Sequence, residues 1–155
     1  MLDAEGATMT HYQKPGWITK NVFNRLLMLL TRVGLSVRGS RVLYVRGRKS
    51  GAWRSNPVNL LNWRDGRYLV APRGETEWVR NLRVAGGGEL ALGSKRTPFV
   101  ARELTDAEKP ELLRAYLKLW SMETGMFFDN VKHDAPDEEI ARIAPRHPVF
   151  AVSDA

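Results

Sequence analysis

Residues 41–72 read RVLYVRGRKSGAWRSNPVNLLNWRDGRYLVAP, and the fold is decided there. Arg41–Arg46 is apolar and branched enough for a strand. Gly47-Arg-Lys-Ser-Gly51, bounded by two residues that tolerate positive φ, reads as a hairpin turn. Arg54–Trp63 returns as a second strand, with Pro57 implying an edge position or a bulge near its start. Asp65-Gly66 is a two-residue hairpin signal leading into a third strand, Arg67–Pro72. Three antiparallel strands therefore follow one another.

Working outward, the connection Arg73–Gly88 holds a short helix at Trp78–Leu82 and ends in Gly86-Gly87-Gly88. Strands at Glu89–Leu92 and Pro98–Leu104 follow, joined by the turn Gly93-Ser-Lys-Arg96. Thr105-Asp-Ala-Glu108 has capping-box spacing, with a helix running to about Met122 from there or from Lys109, Pro110 taking the first helical position. A short helix at Asp137–Ile143 and a strand at Pro148–Val152 complete the order. On the N-terminal side, Ile18, Val22, Leu26, Leu29, Leu30 and Val33 share one face of an amphipathic helix over 18–35. Its longest apolar run, Leu26–Leu30, falls far short of the ~20 residues that span a bilayer. Packing on the core is the expectation for this helix, and membrane contact through residues 14–35 the alternative. Tight turns with few helical excursions argue against alternating βαβ units. The expectation is a mainly β (α+β) chain: a small antiparallel barrel with peripheral helices. Residues 1–13 read as a loose N-terminal end and 14–155 as one domain.

Composition narrows the chemistry. The chain has no cysteine, which removes disulfides, thiol catalysis and cysteine-held metals and fits a reducing cytoplasm. The opening residues lack the pattern of an export signal, so the expected location is cytoplasmic, with the inner face of the membrane as the alternative. His11, His133 and His147 are widely spread, and no metal is expected. The net charge of +7 is unevenly placed: residues 6–64 carry eleven Lys or Arg and no acid. Such one-sided charge attracts phosphates, acidic lipid headgroups or nucleic acid.

Several familiar sites are absent. The 47–51 turn has the composition of a phosphate loop, but GxxxxGK[ST] needs Gly directly before Lys, and Arg48 stands there. There is no GxGxxG and no GxSxG, and no pair of carboxylates is marked by spacing. No catalytic side chain can be nominated. Two clusters remain. Arg48, Lys49, the Ser50 hydroxyl, the Gly51 amide and Arg54 lie within seven residues and could hold a phosphate, a plain basic turn being the alternative. Trp78 and Asn81, one helical turn apart, offer a flat apolar face and an amide for a heterocycle, or else a core residue and a cap.

Taken as an ordered set, Gly47-Arg48-Lys49-Ser50-Gly51, Arg54, Pro57, Asp65-Gly66, Leu69-Val70-Ala71 and Trp78 with Asn81-Leu82 resemble the deazaflavin-dependent nitroreductase family of actinobacteria. The resemblance runs over roughly Trp17–Val152. It implies a split β-barrel related to flavin-mononucleotide-binding oxidoreductases, and reduced coenzyme F420 as hydride donor. By the same resemblance, Arg48, Lys49, Ser50, Gly51 and Arg54 hold the cofactor phosphate and the start of its glutamate tail. Asn56 and Pro57 line the adjoining strand. Ala71 and Arg73 sit at the strand end and loop over the deazaflavin, where many relatives carry Lys in place of Arg73. Trp78 and Asn81 close the groove, and Trp53 stands where relatives have a small residue or Pro.

Hydride transfer belongs to the cofactor, so no catalytic His or Cys is demanded. The implied reaction is hydride delivery to an electrophilic small molecule such as a quinone, enone or nitroaromatic. Relatives build the acceptor pocket partly from the region of Tyr116, Trp120, Met126, Phe127 and Phe128, for which core packing is the alternative. Two other classes stay open. One is a lipid- or quinone-binding relative at the membrane without turnover. The other is a basic barrel binding single-stranded nucleic acid through Trp53, Trp63 and Tyr68 interleaved with Arg54, Arg64 and Arg67, the lesser reading. A monomer and a homodimer are both compatible with the sequence.

Overall fold

Strand residues alternate between two faces, and here both faces are apolar on half of the strands. A computed structural model describes residues 39–155; the amphipathic segment 18–35 and the N-terminal end lie outside the described residues. Six strands, β1 (Ser40–Arg46), β2 (Trp53–Trp63), β3 (Gly66–Val70), β4 (Gly87–Leu92), β5 (Lys95–Glu103) and β6 (Val149–Asp154), close into an antiparallel barrel in the order β1-β2-β3-β6-β5-β4. Among the described residues three α-helices accompany it: α1 (Glu77–Ala85), α2 (Pro110–Thr124) and α3 (Asp137–Ile143). The barrel with peripheral helices is the architecture that the strand order and tight turns imply.

Period two explains where the core sits. Leu60, Leu69 and Phe150 point inward and join Leu43, Val45, Leu90 and Phe99 in the barrel interior, which α1 plugs with Trp78, Val79 and Leu82. Their strand neighbours Leu61, Val70 and Val149 point outward, into a second core closed by Leu113, Tyr116 and Leu117 of α2 and Ile140 and Ile143 of α3. The stretch β2-β3-β6 is thus buried on both faces, whereas the outer faces of β1, β4 and β5 are open enough to carry Arg46 and Arg96.

The two strand prolines fit because each lies where its strand has one neighbour. Pro57 pairs with Val42 of β1, while β3 joins β2 only from Leu60 onward. Pro98 pairs with Glu89 of β4, and β6 joins β5 only from Phe99. A missing N–H costs no ladder bond at such a place. The β1–β2 register runs unbroken, so Pro57 marks a local edge and no bulge. The β2–β3 turn differs from the Asp65-Gly66 reading. Trp63 pairs with Gly66, and the two-residue loop is Arg64-Asp65, with Arg64 at φ 53°.

The glycine triplet divides its work. Gly86 ends α1 in the left-handed conformation at φ 73°, its amide donating to Leu82 O at 2.8 Å. Gly87 and Gly88 then allow close strand approach: a Cβ at Gly88 would run into the carbonyl of Tyr44 in β1, and one at Gly87 into that of Phe99 in β5. Gly88→Ala is therefore expected to destabilise the barrel by about 1–3 kcal/mol, the usual scale of overpacking, as read from urea unfolding. Before α2, Glu108 reaches back to the Thr105 amide at 2.8 Å and closes a 3-10 turn over Asp106–Glu108. The α-helix itself starts at Pro110, so both sequence signals at this junction are used.

Candidate functional site

Six residues connect β1 to β2, too many for a flat two-residue turn, and the extra backbone folds on itself. The Gly47 amide donates to Ala52 O at 2.8 Å and the Gly51 amide to Gly47 O at 2.9 Å, with Gly51 at φ 75°. The Ala52 amide donates to Ser50 Oγ at 3.1 Å. This loop, the first residues of β2 and the exposed side of α1 enclose a cavity of about 540 Å³. Its walls include Arg48, Lys49, Ser50, Arg54 and Asn56 from the hairpin, and Glu77 and Asn81 from α1.

The cations are held differently. The Arg48 side chain is only 20% exposed; its Nη1 donates to Asn81 Oδ1 at 2.8 Å and to Glu77 Oε1 at 2.9 Å. The Arg48 backbone amide also donates to Asn81 Oδ1, at 3.0 Å. Asn81 is itself 4% exposed, so it anchors the hairpin to α1 from a fixed position. Lys49 and Arg54, by contrast, are exposed and form no ion pair or hydrogen bond with an acid among the described residues. The Arg54 guanidinium lies beside the hairpin base, where a Cβ at Gly47 would come within 3.5 Å of its Nε. Among the described residues three cations stand against one carboxylate and leave the cavity positive, and exposed cations that form no ion pair are suited to a ligand's anion.

Asn81 carries the hairpin's position, and a test follows. Asn81→Ala removes both hydrogen bonds to Arg48 and is expected to weaken binding of an anionic ligand about tenfold, since hydrogen bonds to charged groups are worth ~1.5–3 kcal/mol and water restores part of the loss. Isothermal titration of the folded variant measures it.

The sequence candidates separate into two groups. Arg48, Lys49, Ser50, Arg54, Asn56 and Asn81 meet at the cavity. Gly51 shapes the loop behind them, and Pro57 continues β2 away from it. Ala71, Arg73 and Trp78 do not line it. Ala71 is buried at the end of β3, its amide donating to Pro148 O at 2.9 Å, and Arg73 sits in the turn closed by Gly74 N to Ala71 O at 3.2 Å. Trp78 packs inside the barrel with its ring 6.1 Å from that of Phe150.

The aromatic group from the C-terminal region is also elsewhere. Tyr116, Trp120 and Phe128 belong to the core between barrel and helices, Phe127 packs against it, and Met126 is exposed. Phe128 stacks on His147 at 4.1 Å, and the Tyr116 ring lies 4.8 Å from Trp120. Burial pushes the Tyr116 phenol up to about 12, and the hydroxyl accepts from Asn59 Nδ2 at 3.4 Å. It stays protonated at neutral pH and is sealed from the cavity. Glu77 and Ser55 are the cavity residues that sequence reasoning did not single out, and Glu77 is the charged one. An acid in the first turn of a helix is ordinary dipole complementarity, and only its contact with Arg48 distinguishes it.

Barrel and cavity together define a class: a small closed antiparallel barrel with a cationic recess of cofactor size between a hairpin and a plugging helix. The family model of F420H2-dependent quinone reductases matches residues 23–126, and the chain belongs to that family. It is an F420H2-dependent reductase, and its cofactor is coenzyme F420. Among solved structures, one described as a domain-swapped dimer is 21% identical over 88% of this chain and 97% of that chain, with a TM-score of 0.55. The F420-H2 dependent reductase FDR-A is 20% identical over 75% of this chain and 95% of its own, with a TM-score of 0.54. The protein Atu2129 of Agrobacterium tumefaciens, of unknown function, is 14% identical over 91% of this chain and 59% of its own, at 0.53. At these identities the likeness is one of fold. A search of curated proteins finds no match.

Proposed function

We propose that the chain transfers a hydride from reduced coenzyme F420 to a quinone, and that the 47–56 hairpin cavity receives the cofactor's phosphate and the start of its glutamate tail. The observation that carries this reading is the pair Lys49 and Arg54, two exposed cations with no ion pair or hydrogen bond to an acid among the described residues, lining a recess of about 540 Å³. The donor set fits the group: two free cations, the Ser50 hydroxyl and a glycine-bounded loop suit a phosphate and carboxylates.

When bound in its reduced form, the cofactor supplies the hydride. The protein's part is to bind and orient. Asn81 fixes Arg48, while Lys49 and Arg54 neutralise the tail, and Asn56 continues the wall along β2 toward the barrel. No titrating side chain is required at the acceptor, because a quinone that gains a hydride takes its remaining proton from solvent. Enones and nitroaromatics are electrophiles of the same kind and are alternative acceptors. Ala71 and Arg73 remain assigned to the strand end and loop over the deazaflavin on family resemblance, whereas the position of Trp78 supports packing inside the barrel. For Tyr116, Trp120, Phe127 and Phe128 the positions support packing instead of acceptor contact.

The test is a fluorescence titration with coenzyme F420, with flavin mononucleotide in parallel, followed by turnover with quinone, enone and nitroaromatic acceptors. Saturable binding of the deazaflavin alone and fastest turnover with quinones are expected; absence of deazaflavin binding overturns the assignment. One similar structure is a domain-swapped dimer, and we extend the proposal to a homodimer, which sedimentation equilibrium checks. Among the described residues no helix is long and apolar enough to cross a membrane. Contact through residues 14–35 is tested by liposome flotation.

A further inference from the structure

Among the described residues the cationic cavity contains one acid, Glu77, and it stands where a ligand's anion would go. Glu77 Oε1 accepts from Arg48 Nη1 at 2.9 Å, but the two partners are unequally held. The Arg48 side chain is 20% exposed and is fixed from its other side by Asn81, while the Glu77 side chain is 75% exposed and shows no second anchor among the described residues. The hydrogen bond from Arg48, helped by the charges of Arg48, Arg80 and Lys49, holds the Glu77 carboxyl below the usual carboxylate range. It is an anion throughout the physiological range, and an exposed ion pair of this kind is easily exchanged.

We propose that Glu77 is a specificity-determining residue: an internal anion that occupies the Arg48 guanidinium until a phosphate-bearing ligand displaces it, so that the cavity selects ligands by charge. The inference rests on the reading of this cavity as the cofactor's anion site. An ordinary carboxylate offers Arg48 no more than Glu77 already does, and Glu77 is tethered, which gives it an effective concentration on the order of millimolar. Small monocarboxylates are excluded on that ground. A phosphate brings more charge and more acceptor oxygens to the planar guanidinium, and also engages Lys49 and Arg54, so it wins the exchange. Displacement costs little, because Glu77 swings into solvent while Asn81 keeps Arg48 in place. Glu77 therefore sets the threshold and Asn81 the geometry.

Two variants with opposite signs separate competition from positioning. Glu77→Gln removes the internal anion at an exposed site, so the fold is kept, which circular dichroism verifies. The full-length variant is expected to bind coenzyme F420 about fivefold more tightly than the unaltered chain, the upper scale of an exposed ion pair. Inorganic phosphate, followed by thermal shift, should gain similarly. Acetate should gain by a similar factor, rising from negligible to detectable binding, and the ring–ribityl fragment of the cofactor, which lacks the phosphate, should bind equally to both proteins. Asn81→Ala should weaken phosphate binding. Unchanged or weaker phosphate binding by Glu77→Gln would overturn the proposal and make Glu77 a support for Arg48. If the unaltered chain binds no deazaflavin yet Glu77→Gln tightens phosphate, the charge-selection role stands and the cofactor assignment falls; if F420 binds and Glu77→Gln gains nothing, the reverse holds.

Discussion

The Lys49→Ala, Arg54→Ala double variant is expected to lose coenzyme F420 binding by about 3–4 kcal/mol, roughly 150- to 900-fold in Kd, while remaining folded. Both side chains are exposed, and among the described residues neither forms an ion pair or hydrogen bond with an acid that the fold could depend on. Their removal costs the barrel almost nothing, since surface substitutions away from packed features usually fall within ~0.5 kcal/mol. The cofactor, in contrast, loses two charge-assisted contacts, each worth ~1–3 kcal/mol before screening. Single variants should divide the loss, with Arg54→Lys retaining charge but losing the planar fork that grips two oxygens at once. Fluorescence titration at two ionic strengths measures it. Screening shortens the reach of exposed charges to about 8 Å near physiological salt, so the gap between variant and unaltered chain should narrow as salt rises. A double variant that binds F420 within twofold of the unaltered chain removes the hairpin from the cofactor site.

How far this could be read in the sequence differs between fold and site. The meander was legible because local rules agreed: branched apolar runs, a glycine-bounded turn and an aspartate–glycine step stand in order, and a two-fold period needs no tertiary knowledge. The turn slipped by one residue because Arg64 adopts positive φ, which composition does not announce. The charged half of the site was legible for the same reason, since Arg48, Lys49, Ser50 and Arg54 are neighbours in sequence. Their division into one fixed and two free cations was not. It depends on Asn81 and Glu77, some thirty residues away and brought to the hairpin by the helix that plugs the barrel. Closed antiparallel pairing also hides which strands are covered twice: Leu60-Leu61 and Leu69-Val70 look alike in sequence, yet one member of each pair faces the interior and the other faces α2.

The aromatic residues near the C-terminus pose the harder ambiguity, and Phe128→Ala resolves it with the largest stability effect expected here, about 3–5 kcal/mol. A pocket lining and a core lining have the same composition: both are apolar, both follow helical spacing, and Leu112, Leu113, Tyr116, Leu117 and Trp120 would present one stripe in either case. What separates them is whether anything remains uncovered. Phe128 is 0% exposed, stacked on His147 at 4.1 Å and lying 5.8 Å from the Tyr116 ring, so its truncation leaves a cavity bounded by side chains that cannot collapse without moving α2. Urea unfolding should show the loss as a lower midpoint at unchanged slope. Cofactor affinity of the folded protein should stay within about twofold, because Phe128 does not line the cavity and packs in a different core cluster from the α1 residues around Asn81, and sites that share no partners are usually additive within ~0.5 kcal/mol. An acceptor pocket at Phe128 predicts the opposite pattern: modest destabilisation, with a changed KM for the quinone at constant F420 affinity. Measuring both quantities on one preparation therefore assigns the residue, and with it the stripe from Tyr116 to Phe128, to packing or to substrate.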